Sequence, residues 1–338
     1  MKSLLYPAHH TLEIAEQPMP VVGAGEALMR VSACGICGSE LEAYRHKSPR
    51  RPPPLIMGHE FCGELVEAPA GGEFKAGDKV VCNALVSCGT CVRCRRGEPH
   101  LCASRQIFGM HRMGAFAEYV NVPTSALLRW DARLPASAAC LAEPLGNGVH
   151  VVNLVRSLNP TNVAVIGAGP IGLLVLQAFR ALLGANVVSA DLSPQRLEVA
   201  RRVGASRVVN AREEDIAAVG RELTDGEGFD VVVDAVGGAF TKKQAIAAAR
   251  PGGAAVWIGL HENNLDGLAT YDITLPEKRV FGSYAATQAD MQTALDLMAE
   301  GRIESASWVD EYPLDRGVEA FNRMLAGVGY DIKAVIQP

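Results

Sequence analysis

The chain has 338 residues, of which 49% are hydrophobic and 20% are charged, and its formal net charge at pH 7 is −5. This composition fits a well-cored globular protein long enough for two domains, and the acidic balance gives no electrostatic reason to expect nucleic acid or an anionic membrane as a partner. No apolar run reaches the roughly 18 residues of a membrane span, and the N-terminus lacks the long apolar region of a signal peptide, so we expect a cytoplasmic protein.

The first 145 residues are predicted to be rich in β-strands. Short strand candidates at residues 27–31 and 79–81 lie between Gly, Pro and Asp turns. Two segments there contain candidate redox or metal-ligating residues: the Cys-x-x-Cys pair of Cys34 and Cys37, and the run Gly58-His59-Glu60. Each is weak evidence alone, because the βαβ context of a redox motif is absent and a lone histidine is more often a core or surface residue than a ligand.

A group of four cysteines gives the strongest metal signal. Its members are Cys88, Cys91, Cys94 and Cys102. Four thiolates close a tetrahedral shell round Zn²⁺ and leave no open position, so the spacing predicts a structural zinc lobe at residues 88–102. The nine cysteines of the chain cannot all pair, and disulfides are rare in the cytoplasm, which also favours metal ligation. The neighbouring Arg93, Arg95 and Arg96 suggest a nucleic-acid zinc ribbon, but three arginines on an acidic protein are more often a solvated face.

Residues 162–191 predict a strand, a glycine turn, a helix and a second strand. In such a unit the first glycine permits the turn, the second lets backbone approach a pyrophosphate, and the third lets helix and strand pack closely. Asp191 ends the second strand, where its carboxylate can bind the ribose hydroxyls of NAD and would repel the extra phosphate of NADP. The alternative is an α/β protein that uses these glycines only for a tight turn and binds no dinucleotide there. The predicted cofactor-binding residues are Gly167, Gly169, Pro170, Ile171, Gly172, Asp191 and Arg196.

The same alternation of strands and helices continues after Asp191. Ser193 and Pro194 are a favourable N-cap and first helical residue. Together with the first two strands, the later ones make six, as two mononucleotide-binding halves require. The further strand candidates are residues 207–209, 230–234, 254–259 and 279–283, and the helix candidates are residues 195–203, 213–223, 240–250 and 290–299.

In this order and spacing, the motifs resemble the zinc-dependent medium-chain alcohol and polyol dehydrogenases over essentially the whole chain. The matching segments are residues 35–39, 58–60, the four-cysteine lobe, 143–145 and 167–172 with Asp191. The resemblance implies an α/β protein with a GroES-like β-barrel catalytic domain and a Rossmann NAD-binding domain. The implied boundaries are residues 1–145 with 286–338 for the first and 146–285 for the second. Family members are usually dimers or tetramers, so we expect a homodimer or homotetramer.

The resemblance also implies a catalytic zinc, and with the lobe two zinc ions per subunit. Cys37 and His59 match the family's first two ligands, and Glu143 matches a glutamate near or on the metal in the polyol branch. Glu60 matches the acidic residue that lies behind the ligand histidine or swaps onto zinc. A thiolate, an imidazole and a carboxylate leave one position open for water or a substrate oxygen. Cys140 is a rival for the third ligand position. Cys62, Cys82 and Cys140 are most simply small core residues, and Cys34 is expected to pack near the metal without ligating it.

Ser39 matches the hydroxyl that takes the substrate's proton in the family. Many relatives have aspartate directly after this serine and histidine three residues after it, whereas this chain has Glu40 and Glu42. Glu42 could accept the proton, or His46 could replace the missing imidazole, and an exposed loop histidine is an equally good interpretation of His46. The predicted catalytic residues are therefore Ser39, Glu60, Glu42 and His46.

The implied activity is NAD-dependent oxidation of a secondary alcohol, a polyol or sugar derivative, to a ketone. Zinc would lower the pKa of the bound hydroxyl, and hydride would pass to the nicotinamide. Threonine dehydrogenases share the Glu143 motif, so amino-alcohol oxidation is the alternative. Arg50, Arg51 and Arg112 could bind a polyol phosphate, although exposed loop arginines are the simpler interpretation. Zinc-free quinone or enoyl reductases and a non-enzymatic binding protein are two further classes, and the presence of both ligand sets counts against them.

Overall fold

The computed structural model describes residues 1–327 and 330–338, which divide into two compact units. The first unit comprises Met1–Glu143, Ala286–Glu300 and Ser305–Pro338, and the second comprises Pro144–Ala285 and Gly301–Glu304. Within these described residues, none of the helices has both the length and the apolar character that crossing a bilayer requires.

The strands and helices are numbered separately in chain order. The strands are β1 (Lys2–Ala8), β2 (Thr11–Glu16), β3 (Glu26–Gly35), β4 (Leu55–Ile56), β5 (Glu60–Glu67), β6 (Lys79–Cys82), β7 (Leu85–Val86), β8 (Gln106–Ile107), β9 (Tyr119–Pro123), β10 (Leu127–Arg129), β11 (Asn162–Ile166), β12 (Asn186–Asp191), β13 (Arg207–Asn210), β14 (Phe229–Asp234), β15 (Ala249–Trp257), β16 (Arg279–Gly282), β17 (Val309–Pro313) and β18 (Lys333–Gln337). The α-helices are α1 (Gly38–His46), α2 (Val92–Arg95), α3 (Ala136–Ala139), α4 (Ala142–Val155), α5 (Pro170–Leu183), α6 (Pro194–Arg202), α7 (Ile216–Leu223), α8 (Ala239–Ala248), α9 (Tyr271–Thr274), α10 (Gln288–Ala299) and α11 (Gly317–Ala326). Short 3₁₀ helices lie at Pro99–Leu101, Thr124–Ala126, Arg156–Leu158 and Leu314–Arg316.

Strand β3 is the centre of the first unit. The sheet order is β10-β6-β5-β3-β18-β17, β9 also pairs with β3, and smaller sheets form from β2-β1-β4 and β7-β8. Alternate residues of β3 point into the core, where Met29 and Ala33 are fully buried. Large aromatic side chains such as Phe61 and Phe116 fill this core. The β-rich character predicted for residues 1–145 is therefore confirmed.

The register of β3 brings three distant chain segments to one end of the sheet. Gly35 at the end of β3 pairs with Glu60 at the start of β5. On its other side, Gly35 pairs with Val335 of β18. Because Cys37 follows β3 and His59 precedes β5, both side chains lie at this end of the sheet.

The second unit contains a six-stranded parallel sheet in the order β13-β12-β11-β14-β15-β16. Reading outward from β11, this is the doubly wound arrangement of two mononucleotide-binding halves. The valines of β14 at residues 231–233 are fully buried, as expected for a strand covered on both faces. The prediction of six strands is confirmed.

The predicted element boundaries differ from the structure by a few residues. Helix α7 begins at Ile216 rather than at residue 213, because the Asp215 carboxylate accepts the N–H of Ala217 as an N-cap. Strand β15 begins at Ala249, five residues before its predicted start. The predicted cap of α6 is confirmed, since Ser193 Oγ accepts the N–H of Arg196 at 3.4 Å.

Candidate active site

Cys37, His59 and Glu60 form a compact group of metal-ligating side chains in the first unit. One ligand atom from each residue lies within 4.8 Å of the other two. In a tetrahedral zinc site, sulfur and nitrogen ligands are about 3.5 Å apart, so small side-chain adjustments let this group hold the ion. His59 and Glu60 are buried, and Cys37 is partly exposed. Sulfur, imidazole and carboxylate donors are the set that suits a catalytic zinc with an open position.

Glu40 fixes the orientation of His59 from inside the core. The carboxylate is fully buried, and its Oε1 lies 2.9 Å from His59 Nδ1. A carboxylate only accepts, so Nδ1 carries the hydrogen and Nε2 is left for a metal. The same carboxylate accepts the N–H of Gly58 at 2.8 Å and of Cys37 at 3.0 Å. Burial alone would raise the pKa of Glu40, but His59 and Arg51 lower it overall, so the carboxylate is ionised.

Lys333 neutralises the Glu60 carboxylate from strand β18. Both side chains are almost completely buried, and Lys333 Nζ contacts Glu60 Oε2 and donates to the Ile36 carbonyl at 2.9 Å. Burial alone would lower the pKa of Lys333, but the charge of Glu60 raises it, so the ammonium is retained. A Cβ on Gly35 would lie 2.4 Å from Glu60 Oε2, and this close approach explains the glycine. Sequence reasoning missed Lys333, because no local pattern links residues 273 positions apart.

The predicted proton-relay residues all lie on α1. Ser39 is exposed, and its hydroxyl donates a hydrogen bond to Cys37, with Oγ 3.4 Å from Sγ. His46 Nε2 lies 3.2 Å from Glu42 Oε2, one helical turn away, and both side chains reach solvent. His46 is therefore a helical residue rather than a loop residue. A relay role for either side chain stays a prediction.

Glu143 is a buried residue at the start of α4, with 9% of its surface exposed. In the chain that the structure describes, the ligand group within 4.8 Å consists of Cys37, His59 and Glu60, so ligation by Glu143 stays a prediction. Cys140 donates to the Ser137 carbonyl at 3.3 Å. All nine cysteines are free thiols, and Cys34, Cys62, Cys82 and Cys140 are buried as expected.

The four cysteines of the predicted lobe meet at one point. Sulfur–sulfur separations are 3.5 Å for Cys91–Cys94 and Cys88–Cys102, 3.8 Å for Cys91–Cys102, and 3.9 Å for Cys88–Cys94. Four sulfurs at the corners of a zinc tetrahedron are about 3.8 Å apart, so the group fits the ion closely. The backbone N–H groups of Thr90 and Cys91 lower the pKa of Cys88 to about 6, which favours the ligating thiolate. Between these cysteines lie only the one-turn helix α2 and the 3₁₀ helix Pro99–Leu101, so a metal would replace a hydrophobic core.

The glycine turn of the second unit has the geometry of a phosphate cradle. Gly167 adopts φ +99°, and a Cβ on Gly172 would lie 1.8 Å from the Gly167 carbonyl oxygen. Gly169 has space around it, with Arg196 Nη1 3.9 Å from where its Cβ would be. It is the N-cap of α5, whose first residues are Pro170 and Ile171. The free N–H groups of this helix start are suited to a pyrophosphate.

Asp191 closes the glycine turn at the end of β12. Its carboxylate accepts the N–H of Ala168 at 2.7 Å and of Ser193 at 2.8 Å. These bonds hold the carboxylate beside the turn, in the place where a dinucleotide-binding unit presents an acid to ribose. The predicted cofactor residues thus lie together in one unit.

Two of the three arginines considered for a phosphate have other partners. Arg112 forms an ion pair with Glu26, and both side chains are largely buried. Arg51 is only 5% exposed and is bound to Ser39 and Gly109, so its interpretation as an exposed loop residue is wrong. Arg50 is exposed, as expected.

Comparisons with known proteins agree with this geometry. Residues 23–132 match the alcohol dehydrogenase GroES-like domain, and residues 170–300 match the zinc-binding dehydrogenase family. An L-threonine 3-dehydrogenase from Saccharopolyspora erythraea is 34% identical over 327 residues, covering 94% of this chain and 93% of the relative. A sorbitol dehydrogenase from Bacillus subtilis is 30% identical over 340 residues, covering 98% and 96%.

Solved structures are similar over the whole length. An alcohol dehydrogenase (rspB) from Escherichia coli CFT073 complexed with NADH has a TM-score of 0.92 at 27% identity and covers 100% of this chain and 99% of the other. A zinc-binding dehydrogenase from Sinorhizobium meliloti 1021 bound to NADP has a TM-score of 0.91 at 30% identity, with the same coverage. The chain combines a GroES-like domain with a Rossmann domain, two groups that could hold zinc, and a dinucleotide-binding turn. It is an oxidoreductase that belongs to the zinc-dependent medium-chain alcohol dehydrogenase family.

Proposed function

We propose that this protein oxidises a secondary alcohol, a polyol or sugar derivative, to a ketone and transfers the hydride to NAD. The observation that carries the proposal is the group of Cys37, His59 and Glu60 within 4.8 Å, with the Ser39 hydroxyl 3.4 Å from the sulfur. A metal site beside a proton-accepting hydroxyl is what removal of a proton from an alcohol requires.

Each side chain has a distinct task in this reaction. Cys37 and His59 would hold a zinc ion, which would supply the Lewis acidity that lowers the pKa of an alcohol hydroxyl. Glu40 keeps the His59 ring turned with Nε2 free. Ser39 takes the proton of the alcohol on its oxygen. Glu143 is the proposed further carboxylate at the metal, and Glu60 remains in its ion pair with Lys333.

The preference for NAD over NADP is part of the proposal. Asp191 supports it, because a carboxylate fixed beside the glycine turn accepts the ribose hydroxyls and repels a 2′-phosphate. Arg196 is the further proposed contact residue, since its guanidinium lies next to Gly169.

L-Threonine is the alternative substrate, because a relative 34% identical over nearly the whole chain is an L-threonine 3-dehydrogenase. A polyol phosphate is less favoured, since Arg112 pairs with Glu26 and Arg51 is buried against Ser39. By analogy with the family we further propose a cytoplasmic homodimer or homotetramer whose partners are small-molecule alcohols rather than nucleic acid or membrane.

A substrate screen tests the proposal. The purified zinc-loaded protein is assayed with sorbitol, other hexitols, a hexitol phosphate, 2,3-butanediol, simple secondary alcohols and L-threonine, each with NAD and NADP. We expect the highest kcat/KM for a polyol with NAD. Turnover of L-threonine alone would establish the alternative, equal use of NADP would contradict the role of Asp191, and no turnover of any alcohol would contradict the proposal.

A further inference from the structure

The Arg51 guanidinium binds the exposed Ser39 residue through both its backbone and its side chain. Arg51 Nη2 donates to Ser39 Oγ at 3.1 Å, and Nη1 donates to the Ser39 carbonyl at 2.7 Å. The third nitrogen, Nε, donates to the Gly109 carbonyl at 2.9 Å. Three hydrogen bonds from one planar group fix the guanidinium, so the position of Ser39 Oγ relative to its own backbone is fixed as well.

The chain folds back on itself to make this contact. Ser39 is the second residue of helix α1, which ends at His46 and is followed by the C-cap Lys47 with φ +49°. The N–H of Ser48 bonds to the Ala43 carbonyl, and the N–H of Arg51 bonds to the Ser48 carbonyl, both at 3.1 Å. This turn returns Arg51 to the start of the helix it has just left.

Burying a guanidinium is costly unless its donors are hydrogen-bonded. Arg51 is only 5% exposed, and its guanidinium donates to three protein oxygens, two of Ser39 and one of Gly109. A buried arginine bound to an exposed serine is a specific arrangement, because a side chain in a solvated loop would not be desolvated.

The hydrogen bonds of Ser39 determine what it can do in a reaction. A hydroxyl has one hydrogen and two lone pairs, and arginine is only a donor. Arg51 therefore occupies one lone pair of Ser39 Oγ, and one lone pair and the hydrogen remain. In the structure that hydrogen is directed at Cys37 Sγ, 3.4 Å away. Arg51 cannot accept a proton, so none can leave Ser39 in its direction.

We propose that Arg51 is the positioning residue of the proton-transfer step. It fixes the Ser39 hydroxyl so that the remaining lone pair accepts the proton of the alcohol while the hydroxyl's own hydrogen passes to water. Ser39 is exposed to solvent, which supplies that water. This inference rests on the proposed function, in which Ser39 takes the proton.

A double-mutant cycle tests the role of Arg51. Arg51→Lys keeps a positive charge near Glu40 but cannot donate to Ser39 O, Ser39 Oγ and Gly109 O together. It is made in wild type and in Ser39→Ala, and assayed with the alcohol of the screen that wild type oxidises fastest. In the wild-type background we expect Arg51→Lys to lower kcat about 10- to 100-fold, as the loss of a charged hydrogen bond would. In the Ser39→Ala background it should cause no further fall in kcat. The dissociation constant of NADH, measured by fluorescence, should stay within about twofold.

Arg50→Lys is the matched control, since Arg50 is the exposed neighbour. It should keep the wild-type kcat. The role of Arg51 would be overturned if Arg51→Lys lowered kcat equally in both backgrounds, or if it kept the wild-type kcat. Either result would leave the proposed function standing. No turnover by wild type itself would overturn the proposed function.

Chemical labelling tests the contact independently of turnover and of the folding of Arg51→Lys. Phenylglyoxal modifies arginines, and peptide mass spectrometry measures the rate at each position. Arg51 should react at least about 10-fold more slowly than Arg50 in wild type, and clearly faster in Ser39→Ala, because one of its three partners is lost. Equal rates at both arginines in wild type, or no change in Ser39→Ala, would contradict the contact on which the inference depends.

Discussion

The Glu40 carboxylate lies 2.9 Å from the Nδ1 atom of His59, and neither residue is exposed by more than 8%. The same carboxylate also accepts two backbone N–H groups, from Gly58 and Cys37. One buried acid therefore orients the imidazole and fixes the backbone of Cys37, the proposed sulfur ligand. Mutation of such hydrogen-bond partners of metal ligands typically lowers metal affinity or activity by about 10- to 100-fold.

Replacing Glu40 with glutamine should weaken the catalytic zinc site. Glutamine keeps the size of the side chain but not the charge that holds the Nδ1 hydrogen, so we expect a zinc affinity about 10- to 100-fold lower. Competition with a chelator, followed by metal analysis, measures this affinity. Glu42→Gln on the exposed side of the same helix is the control and should retain wild-type zinc affinity. Wild-type affinity in Glu40→Gln would show that His59 is oriented by other contacts.

Replacing Lys333 with methionine should destabilise the zinc-free protein. The change leaves Glu60 as an uncompensated buried charge, which costs about 3–5 kcal/mol. Urea unfolding monitored in the first unit measures the loss. Lys2→Met is the control, because the Lys2–Asp315 pair at 3.1 Å is exposed and screened by solvent, so its loss should change stability little. Adding Glu60→Gln to Lys333→Met should recover part of the loss, and equal effects of the two lysine variants would contradict this account.

Removing one sulfur of the lobe should release one zinc ion and unfold only that lobe. Cys91→Ser lacks a ligand of the four-sulfur group, and this segment has little other structure to hold it. We expect one zinc per subunit instead of two, with new proteolytic cleavage within residues 88–102. Cys82→Ala, a buried cysteine outside the group, should keep both ions. A Cys91→Ser protein that retained two zinc ions and resisted protease would mean that the lobe is held together without metal.

Asp230 makes the stability of the second unit depend on pH. Its carboxylate accepts the N–H groups of Thr161 and Asn162, both at 2.9 Å, and Arg250 Nε at 2.7 Å. Burial alone would raise the pKa of Asp230, but these hydrogen bonds lower it overall. Its contribution is therefore complete above the unfolded pKa of about 4 and is lost as pH falls through the lower folded pKa.

Asp230→Asn should accordingly lower the free energy of unfolding by about 1–3 kcal/mol at pH 7. The gap between variant and wild type should narrow below about pH 4, as wild type loses the ionised form. Urea titrations at several pH values measure this difference in unfolding free energy. Asp310→Asn is the control, because Asp310 is exposed. A gap that stayed constant down to pH 3 would mean that the charge of Asp230 does not contribute.

Features whose residues lie close together in the sequence could be predicted. The zinc lobe spans 15 positions, and the glycine turn and Asp191 lie within one βαβ unit. The spacing of the residues is therefore enough to predict both features. The number of strands in the parallel sheet followed from the alternation of strands and helices.

Contacts between distant segments could not be predicted in this way. Lys333 meets Glu60 only because β18 adds to β3 on the side opposite β5. The prediction of an exposed loop residue is wrong for Arg51, because the chain turns back and buries its guanidinium against Ser39. These two contacts are tertiary effects without a periodic signal.

The central claim is that Cys37 and His59 hold the zinc ion at which an alcohol is oxidised. Zinc analysis and turnover of wild type and Cys37→Ser, on the alcohol that wild type oxidises fastest, test it most directly. We predict two zinc ions per subunit and NAD-dependent turnover for wild type, and one zinc ion without turnover for Cys37→Ser. A Cys37→Ser protein that kept full turnover, or a wild type that turned over without zinc, would contradict it.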